Sequence, residues 1–324
     1  MNDIITIGSA TRDVFLASKQ FQIIKSAEFS TGLGECVPLG SKVDVETVVR
    51  TTGGGGTNTA CTFSALGFKT STITKIANDD AGDAVVNDLK RFGVKTNLIK
   101  KVSRGSTGYS VLLTAHDGER TALVHRGVSQ TFNENDIPLS KLKCKWLYIT
   151  SLGGNLTLIK KIIESSGAIN SFICFNPGTM ELKKGFSAIK PILSKITLLN
   201  LNLEEARMLI KNEKATIKQL CKEITQHGLT LIITDGPKGA YAHLDGTTWF
   251  ISPQGKKAIS RTGAGDAFGS GTVAGLAKGM GIDDAMRVGM INAESVIGFY
   301  GAKNGIIKTW PSQSMMKKIK VKLI

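Results

Sequence analysis

The chain has few aromatic residues and no long hydrophobic run. Phe, Trp and Tyr make up 6% of its 324 residues, too few to interleave with basic residues as a base-stacking surface. No apolar segment approaches the ~20 residues that a membrane-spanning helix needs, and the mean hydropathy is +0.03. The first residues lead straight into a strand-like segment without a basic region. We therefore expect neither a membrane span nor a secretory signal.

Paired cysteines are also missing. The five cysteines are widely spaced and form no C-x-x-C pair. This pattern is typical of reduced, mostly buried thiols in a cytoplasmic protein, and it argues against a metal site. The four histidines are dispersed and stand apart from the glycine motifs, so we interpret them as surface or structural residues: His116, His125, His227 and His243.

Acidic residues are fewer than basic ones, which leaves a formal net charge of +15. The lysines are scattered singly over predicted helix faces, and the densest run, 317–322, alternates like a solvated edge strand. We interpret the excess as a solvated basic surface without a specific nucleic-acid partner. Attraction of an anionic substrate remains the alternative.

What the chain does have is an alternation of strands and helices. A buried strand is predicted at 4–8, and the regular pattern begins at Lys145. Further strands are predicted at 71–77, 146–150, 172–176, 196–200 and 229–234, and helices at 156–166, 203–211, 217–226 and 282–299. Such alternation predicts an α/β fold with a mostly parallel sheet covered by helices on both faces.

Two segments depart from that pattern. Residues 14–50 lack helical periodicity, although 21–24 and 43–49 could be strands. Residues 104–126 contain two strand-like runs around the turn His116-Asp-Gly-Glu119. We interpret both segments as β excursions that could pair as a small lid. The chain is then one domain, 1–324, with the lid inside it.

A small-residue turn, Thr262-Gly-Ala-Gly265, runs directly into a predicted helix. Free N–H groups and the helix dipole make such a start an anion site. Asp266 stands inside it. By itself the motif leaves open whether this carboxylate caps the helix or acts as a general base.

A glycine run earlier in the chain, Gly53-Gly-Gly-Gly-Thr-Asn58, opens another predicted helix. Consecutive glycines favour close backbone approach to a ligand, although a flexible turn is the alternative. The Asn58 amide can both donate and accept hydrogen bonds to a polyol. Asp13 follows the first strand at the ligand-binding edge of the sheet, either to hold hydroxyl groups or as a turn residue.

Together these motifs resemble the ribokinase-like (PfkB) family of sugar and nucleoside kinases. The early glycine motif, the late Thr-Gly-Ala-Gly-Asp266 motif and, between them, Asn202-Leu-Glu-Glu205 match the family in order and separation. The Asn202 segment looks like the family's N-x-x-E element. The likeness covers essentially the whole chain, and it implies a three-layer α/β/α ribokinase-like fold with a small β lid.

The resemblance also implies ATP-dependent phosphorylation of a primary alcohol. Asp266 would be the catalytic base, and the N–H groups of Gly263, Ala264 and Gly265 would stabilise the transferring phosphoryl group. Asn202 and Glu205 would act through Mg²⁺ and its waters. The implied nucleotide contacts are Asn202, Thr234, Gly236 and Asn292, and the implied acceptor contacts are Asp13, Gly54, Gly55 and Asn58. The lid would exclude water, and in many relatives it also forms a homodimer contact.

Several positions depart from the family pattern. Ser260-Arg261 replaces an Asp-Thr pair whose Asp is associated with a monovalent cation, which leaves potassium activation open. Gly55 stands where ribokinases often have Lys, and 151–154 contains no acidic residue. The acceptor could therefore be a free or phosphorylated sugar, a sugar acid, or a ribonucleoside with a 5′-hydroxyl. A non-catalytic sugar- or nucleotide-binding regulator is the alternative outside enzymes.

Overall fold

The computed structural model of the chain describes residues 1–29, 32–114, 120–167, 171–225 and 228–324. The strands are β1 Asn2–Ile7, β2 Thr11–Ala17, β3 Gln22–Lys25, β4 Leu33–Cys36, β5 Thr47–Gly53, β6 Thr70–Ile73, β7 Lys75–Ala77, β8 Lys100–Val102, β9 Gly108–Thr114, β10 Arg120–His125, β11 Cys144–Ile149, β12 Phe172–Phe175, β13 Leu198–Asn202, β14 Thr230–Thr234, β15 Ala240–Leu244, β16 Thr247–Ile251 and β17 Val321–Leu323. The helices are α1 Gly55–Ala65, α2 Asp80–Arg91, α3 Leu156–Gly167, α4 Thr179–Leu182, α5 Phe186–Leu193, α6 Leu203–Ile210, α7 Ile217–Ile224, α8 Ala264–Ala277, α9 Ile282–Val296 and α10 Gln313–Lys317.

The central sheet has the strand order β17-β16-β15-β14-β13-β12-β11-β1-β6. Neighbours from β14 to β6 are all parallel, whereas β15, β16 and β17 add an antiparallel edge. The predicted mostly parallel sheet is therefore confirmed. Its strands are joined through helices because parallel neighbours need a crossover connection.

Helices cover both faces of this sheet. Successive side chains of a strand point to opposite faces, and in β11 Leu147 and Ile149 belong to one core cluster while Trp146 and Tyr148 belong to the other. The first cluster includes buried residues of α3, α5, α6 and α7. The second includes residues of α1, α8 and α9. This arrangement is the three-layer α/β/α fold that the sequence predicts.

The two β excursions meet in a second, four-stranded sheet with the order β10-β9-β2-β5. Strand β2 pairs in parallel with β9, from Thr11 opposite Gly108 to Ala17 opposite Thr114. On its other side β2 pairs antiparallel with β5. The sheet begins at Thr11, three residues before the predicted start of the first excursion.

The predicted turn 116–119, with His116, lies outside the described residues, as do His227 and the end of the predicted helix 217–226.

Some local predictions were wrong. The single strand expected at 71–77 is two strands, because β6 belongs to the central sheet while β7 pairs with β8. The strand expected at 43–49 lies later, at Thr47–Gly53. The hairpin of β15 and β16 was not predicted. Asp245 and Gly246 of its turn both have positive φ angles.

Candidate active site

The candidate site lies at the carboxyl edge of the central sheet. Strand β1 is flanked by β6 on one side and β11 on the other, so the chain builds the sheet outward in both directions from β1. In open α/β sheets, the crevice at such a reversal is where ligands bind. The segments after β1, β11, β12, β13 and β14 converge at this edge.

The first glycine run packs helix α1 onto the end of β1. A Cβ atom at Gly54, which has φ 95°, would lie 2.4 Å from the carbonyl oxygen of Ser9, and one at Gly56 would lie 2.8 Å from the Gly8 backbone. A Cβ at Gly55 would lie 2.9 Å from the Thr150 hydroxyl oxygen. The close backbone approach predicted from the sequence is therefore an approach to other parts of this chain, at Gly8, Ser9 and Thr150.

The second glycine motif forms the start of α8. Gly263 is the N-cap with φ 82°, and a Cβ there would lie 2.3 Å from the Cβ of Ala302. A Cβ at Gly265 would meet nothing within 4 Å, so this glycine borders open space. The N–H of Ala264 donates to the Arg261 carbonyl at 3.3 Å. Among the described residues, the N–H groups of Gly263 and Gly265 have no acceptor, which leaves donors available for an anion.

The two motifs meet through one hydrogen bond. Nδ2 of Asn58, in α1, donates to Oδ2 of Asp266, in the first turn of α8, at 2.8 Å. Asn58 is only 6% exposed, and its Oδ1 has no hydrogen-bond partner among the described residues. A buried acceptor without a partner calls for an explanation, and a ligand hydroxyl group beside Asp266 would supply one.

Burial raises the pKa of Asp266 above its ordinary value. The Asn58 hydrogen bond and the positive charge of Lys303 oppose that shift. Both stabilise the carboxylate form. A carboxyl group whose pKa is raised, beside free N–H donors, has the chemistry that a proton acceptor requires.

A cavity of about 230 Å³ lies in front of this carboxylate. Its lining includes six of the residues that the resemblance assigned to catalysis, nucleotide or metal: Asn202, Glu205, Thr234, Gly263, Gly265 and Asp266. Asn176, at the end of β12, and Asn200, in β13, also line it and were not predicted. Their position in or after a parallel strand at the ligand edge is a signal that sequence reasoning could have used.

Asn202 and Glu205 form a capping box at the start of α6. Asn202 Oδ1 accepts from the Glu205 N–H at 2.8 Å, and Glu205 Oε2 accepts from the Asn202 N–H at 2.9 Å. Burial raises the pKa of Glu205, its hydrogen bond from the Asn202 N–H lowers it, and the negative charge of Asp266 raises it further. The pair therefore has a structural role, and it also places a second carboxylate close enough to interact with Asp266.

This carboxylate pair fits a hydrated magnesium ion. The described ranges contain no group of three or more His, Cys, Asp or Glu side chains arranged to hold a metal directly. Magnesium usually keeps several waters and takes one or two carboxylates together with substrate phosphates. Glu205 and Asp266 line the same cavity and repel each other, so a cation between them would offset that repulsion.

Asp13 lies in strand β2 and not in a turn. Its side chain accepts from the Thr11 hydroxyl at 2.9 Å, and the residue is 5% exposed. A Cβ at Gly53 would lie 2.0 Å from Asp13 Oδ2, so the carboxylate rests on the first glycine run. Burial raises the pKa of Asp13, against the opposing hydroxyls of Thr11 and Ser110. The predicted acceptor residues Asp13, Gly54 and Asn58 thus come from one corner of the fold.

Two predicted nucleotide contacts are not among the residues that line the cavity. Asn292 is fully buried in α9, where it donates to the Ala267 carbonyl at 2.9 Å and accepts from the Ile307 N–H at 3.1 Å. Its amide is engaged inside the protein and fixes α8, so we do not carry it further as a nucleotide contact. Gly236 is an exposed turn residue, two positions beyond Thr234.

Two buried charged residues near the site carry no motif and were missed. Lys303 donates to the Thr52 hydroxyl at 2.6 Å, and its charge reaches both Asp13 and Asp266. Glu181 is fully buried and accepts from the N–H groups of Leu152 and Gly154, both at 2.8 Å. It thereby shapes the segment that follows β11.

None of the helices in the described ranges combines the length and apolar character needed to cross a bilayer.

Residues 1–309 match the pfkB family of carbohydrate kinases. The chain is 28% identical over 251 residues to an uncharacterized sugar kinase of Archaeoglobus fulgidus, which covers 75% of this chain and 97% of that protein. It is 25% identical over 263 residues to the ribokinase of Haemophilus influenzae, covering 78% and 83% of the two chains.

The fold has counterparts among solved structures. A nucleoside kinase of Methanocaldococcus jannaschii, described as an archaeal member of the ribokinase family, superimposes with a TM-score of 0.76 at 18% identity. The likeness covers 98% of this chain and 99% of that one. Fold, motif order and family match agree, and this chain belongs to the pfkB family of carbohydrate kinases, which are phosphate-transferring enzymes.

Proposed function

We propose that the protein transfers the γ-phosphoryl group of ATP to a primary hydroxyl group of a sugar or sugar derivative. The observation that carries this proposal is the placement of Asp266. Its carboxylate stands at the start of α8, is held by Asn58, and faces the cavity that Glu205 also lines. A carboxylate that only capped α8 would not need a hydrogen bond from α1 to orient it.

In this mechanism Asp266 accepts the proton of the attacking hydroxyl group. Burial raises its pKa, and a carboxylate of higher pKa accepts a proton more readily. Asn58 fixes which carboxylate oxygen is engaged, and so leaves Oδ1 of Asp266 for the substrate hydroxyl. The Asn58 Oδ1, which has no partner among the described residues, would take a hydrogen bond from the acceptor.

The start of α8 would stabilise the transferring group. The N–H groups of Gly263 and Gly265 are available, and the Ala264 N–H would have to give up its 3.3 Å contact with the Arg261 carbonyl. Such donors typically contribute a few kcal/mol to lowering a barrier, since they are already oriented when charge develops. Glu205 and the Asn202 side chain would hold Mg²⁺ through water, and Mg²⁺ when bound neutralises phosphate charge.

The four-stranded sheet of β2, β5, β9 and β10 would serve as the lid. Asp13 of β2 rests on the glycine run, so closing this sheet would bring its carboxylate to acceptor hydroxyl groups and exclude water. Val48, Leu123 and Val124 of this sheet are roughly half exposed. A homodimer contact through the lid would cover them.

The test is ADP release from ATP and Mg²⁺ across free sugars, sugar phosphates, sugar acids and ribonucleosides, with and without potassium. Turnover with one class and identification of the phosphorylated hydroxyl by phosphorus NMR would support the proposal. Turnover confined to ribonucleosides would favour the nucleoside 5′-kinase. Saturable sugar or nucleotide binding without any turnover would instead support a regulator.

A further inference from the structure

A second cavity, of about 350 Å³, lies apart from the candidate active site. It opens between strands β2 and β5, helix α2 and the segment that follows α9. Four basic side chains line it: Arg12, Arg50, Arg91 and Lys303. Among the described residues in its wall, Asp88 carries the one carboxylate. The wall therefore holds four positive charges against one negative charge, an excess of three.

The single carboxylate is already engaged. Asp88 accepts from Arg91 at 2.6 Å and lies 3.4 Å from the Lys303 ammonium group. It also accepts from the Thr52 hydroxyl. Arg12 and Arg50 form no ion pair with any described residue. Neither guanidinium group therefore has an ion-pair partner in the cavity. The charge of Arg12 acts on Asp13, on the other face of β2, where it opposes the rise in pKa that burial causes.

This cluster differs from the scattered lysines of the basic surface. Arg12 lies opposite Thr52, and Val14 lies opposite Arg50, so both arginines project from the same face of the β2–β5 pair. Arg91 comes from α2, and the Lys303 side chain, 2% exposed, comes from the segment after α9. Four separate segments of the chain converge on a concave surface. Like charges repel when they are brought together, and a bound anion would offset that cost.

We propose that this cavity binds a phosphate group, either inorganic phosphate or a phosphate monoester. Guanidinium groups present paired N–H donors that match phosphate oxygens, and they hold their charge at any physiological pH. The cavity volume and the charge excess suit a small dianion. Arg12 directly precedes Asp13, and Thr52 directly precedes Gly53, so a bound phosphate would stabilise the segments that carry the proposed acceptor contacts.

The phosphate group has two potential sources. It could belong to a phosphorylated acceptor that extends from the active site, or to a separate phosphorylated effector. Asp13 projects from the opposite face of β2 to Arg12, because adjacent residues of a strand alternate. The chemistry of the site is the same in both cases, and the experiment distinguishes them.

The first experiment is calorimetric titration of the full chain with inorganic phosphate, carried out with saturating MgADP so that the nucleotide site is filled. We expect saturable binding that the Arg12→Gln/Arg50→Gln variant weakens by about tenfold or more, since a hydrogen bond to a charged group is worth roughly a factor of ten or above. The matched control is Lys141→Gln/Lys143→Gln, which removes two exposed charges elsewhere and is expected to bind as the wild type does.

Equal affinity in the wild type and the double arginine variant would overturn the proposal, as would the absence of saturable binding. Repeating the titration without nucleotide keeps this outcome independent of the kinase reaction. Arg50→Gln alone changes one exposed side chain, so it provides a folded variant in which weaker phosphate binding is still expected.

A second arm identifies the source, and it rests on the proposed kinase function. If the phosphate belongs to the acceptor, the double arginine variant raises KM for phosphorylated acceptors at least about tenfold and leaves KM for unphosphorylated ones unchanged. If it belongs to a separate effector, inorganic phosphate still binds with acceptor present and KM values do not change selectively. An inactive protein that still shows arginine-dependent phosphate binding would defeat the kinase proposal and not this one.

Discussion

Asn58 Nδ2 donates to Asp266 Oδ2 at 2.8 Å across 208 positions of the sequence. The bond joins the first turns of two helices, each of which begins with a glycine run. It fixes the orientation of a buried carboxylate and leaves the other Asn58 oxygen without a partner among the described residues. The two motifs therefore act as one unit in which each orients the other.

The first prediction concerns the pH dependence of the reaction. Asn58→Ala removes a hydrogen bond that lowers the pKa of Asp266, so that pKa should rise further. Since the base must be ionised, the acid limb of kcat/KM against pH should move to higher pH in the variant. Asn97→Ala, an exposed asparagine elsewhere, is the control. An unchanged acid limb with reduced kcat would mean that Asn58 contacts substrate without tuning the base.

The second prediction concerns magnesium. Glu205→Gln removes one of the two carboxylates at the cavity, so the Mg²⁺ concentration for half-maximal activity should rise about tenfold or more. The capping box can survive because glutamine also accepts from the Asn202 N–H, and the unfolding midpoint should change little. Glu204→Gln, its exposed neighbour, should leave the Mg²⁺ requirement unchanged. A loss of stability without a changed Mg²⁺ requirement would restrict Glu205 to its capping role.

The third prediction concerns the segment after β11. Glu181 accepts from Ser151 Oγ at 2.8 Å and from the N–H groups of Leu152, Gly154 and Gly178. Glu181→Ala would leave these donors without their buried acceptor, at a cost of about 3 kcal/mol or more in the free energy of unfolding. Urea denaturation measures it. Glu223→Ala, on an exposed face of α7, should change stability by less than about 0.5 kcal/mol, and an equally small effect at Glu181 would contradict the assignment.

The fourth prediction concerns the cysteines. Burial raises the pKa of Cys61 to about 12 and that of Cys221 to about 11. The thiolate is the reactive form, so these buried thiols should resist alkylation at pH 8. Cys36, which is half-buried on β4, should react first. Mass spectrometry of the native protein after iodoacetamide treatment tests this, and early modification of Cys61 would show that α1 opens locally.

Much of the fold could be predicted because its parallel strands are short, apolar and bounded by polar residues. β11, β12 and β14 lie within two residues of their predicted bounds. Strand β2 was missed, since Thr11, Arg12 and Asp13 look like a polar turn. Its strand character depends on pairing with β5 and with β9, almost 100 residues later.

The site could be predicted in parts only. The glycine motifs identified Asn58 and Asp266, because anion binding at a helix start leaves a local pattern in the sequence. The bond between them leaves no such pattern. Lys303 and Glu181 depend on contacts with residues far along the chain, at Thr52 and Leu152, and a single charged residue in a loop gives no signal of its burial.

The fifth prediction concerns the effect of the buried Asp266 carboxylate on the stability of the folded protein. The folded-state pKa of Asp266 lies above its unfolded value. At a pH between these two values, the folded protein binds a proton that the unfolded chain releases. The free energy of unfolding therefore falls as the pH rises from the unfolded-state pKa to the folded-state pKa. Asp266→Asn carries no such charge, and it should unfold at a higher temperature than the wild type at pH 8 and at nearly the same temperature at pH 4. A variant that is less stable at pH 8 would contradict the assigned burial.

The most direct measurement is kcat for Asp266→Asn, with the acceptor that the ADP-release test identifies. The same measurement on Asp80→Asn is the control. Both aspartates stand in the first turn of a helix, so Asp80→Asn measures the loss of a carboxylate at a helix start without loss of a base. We predict that kcat falls by about 10² to 10⁴ in Asp266→Asn and stays within about twofold of the wild type in Asp80→Asn. Turnover that survives in Asp266→Asn would make Asp266 a helix cap and contradict the mechanism.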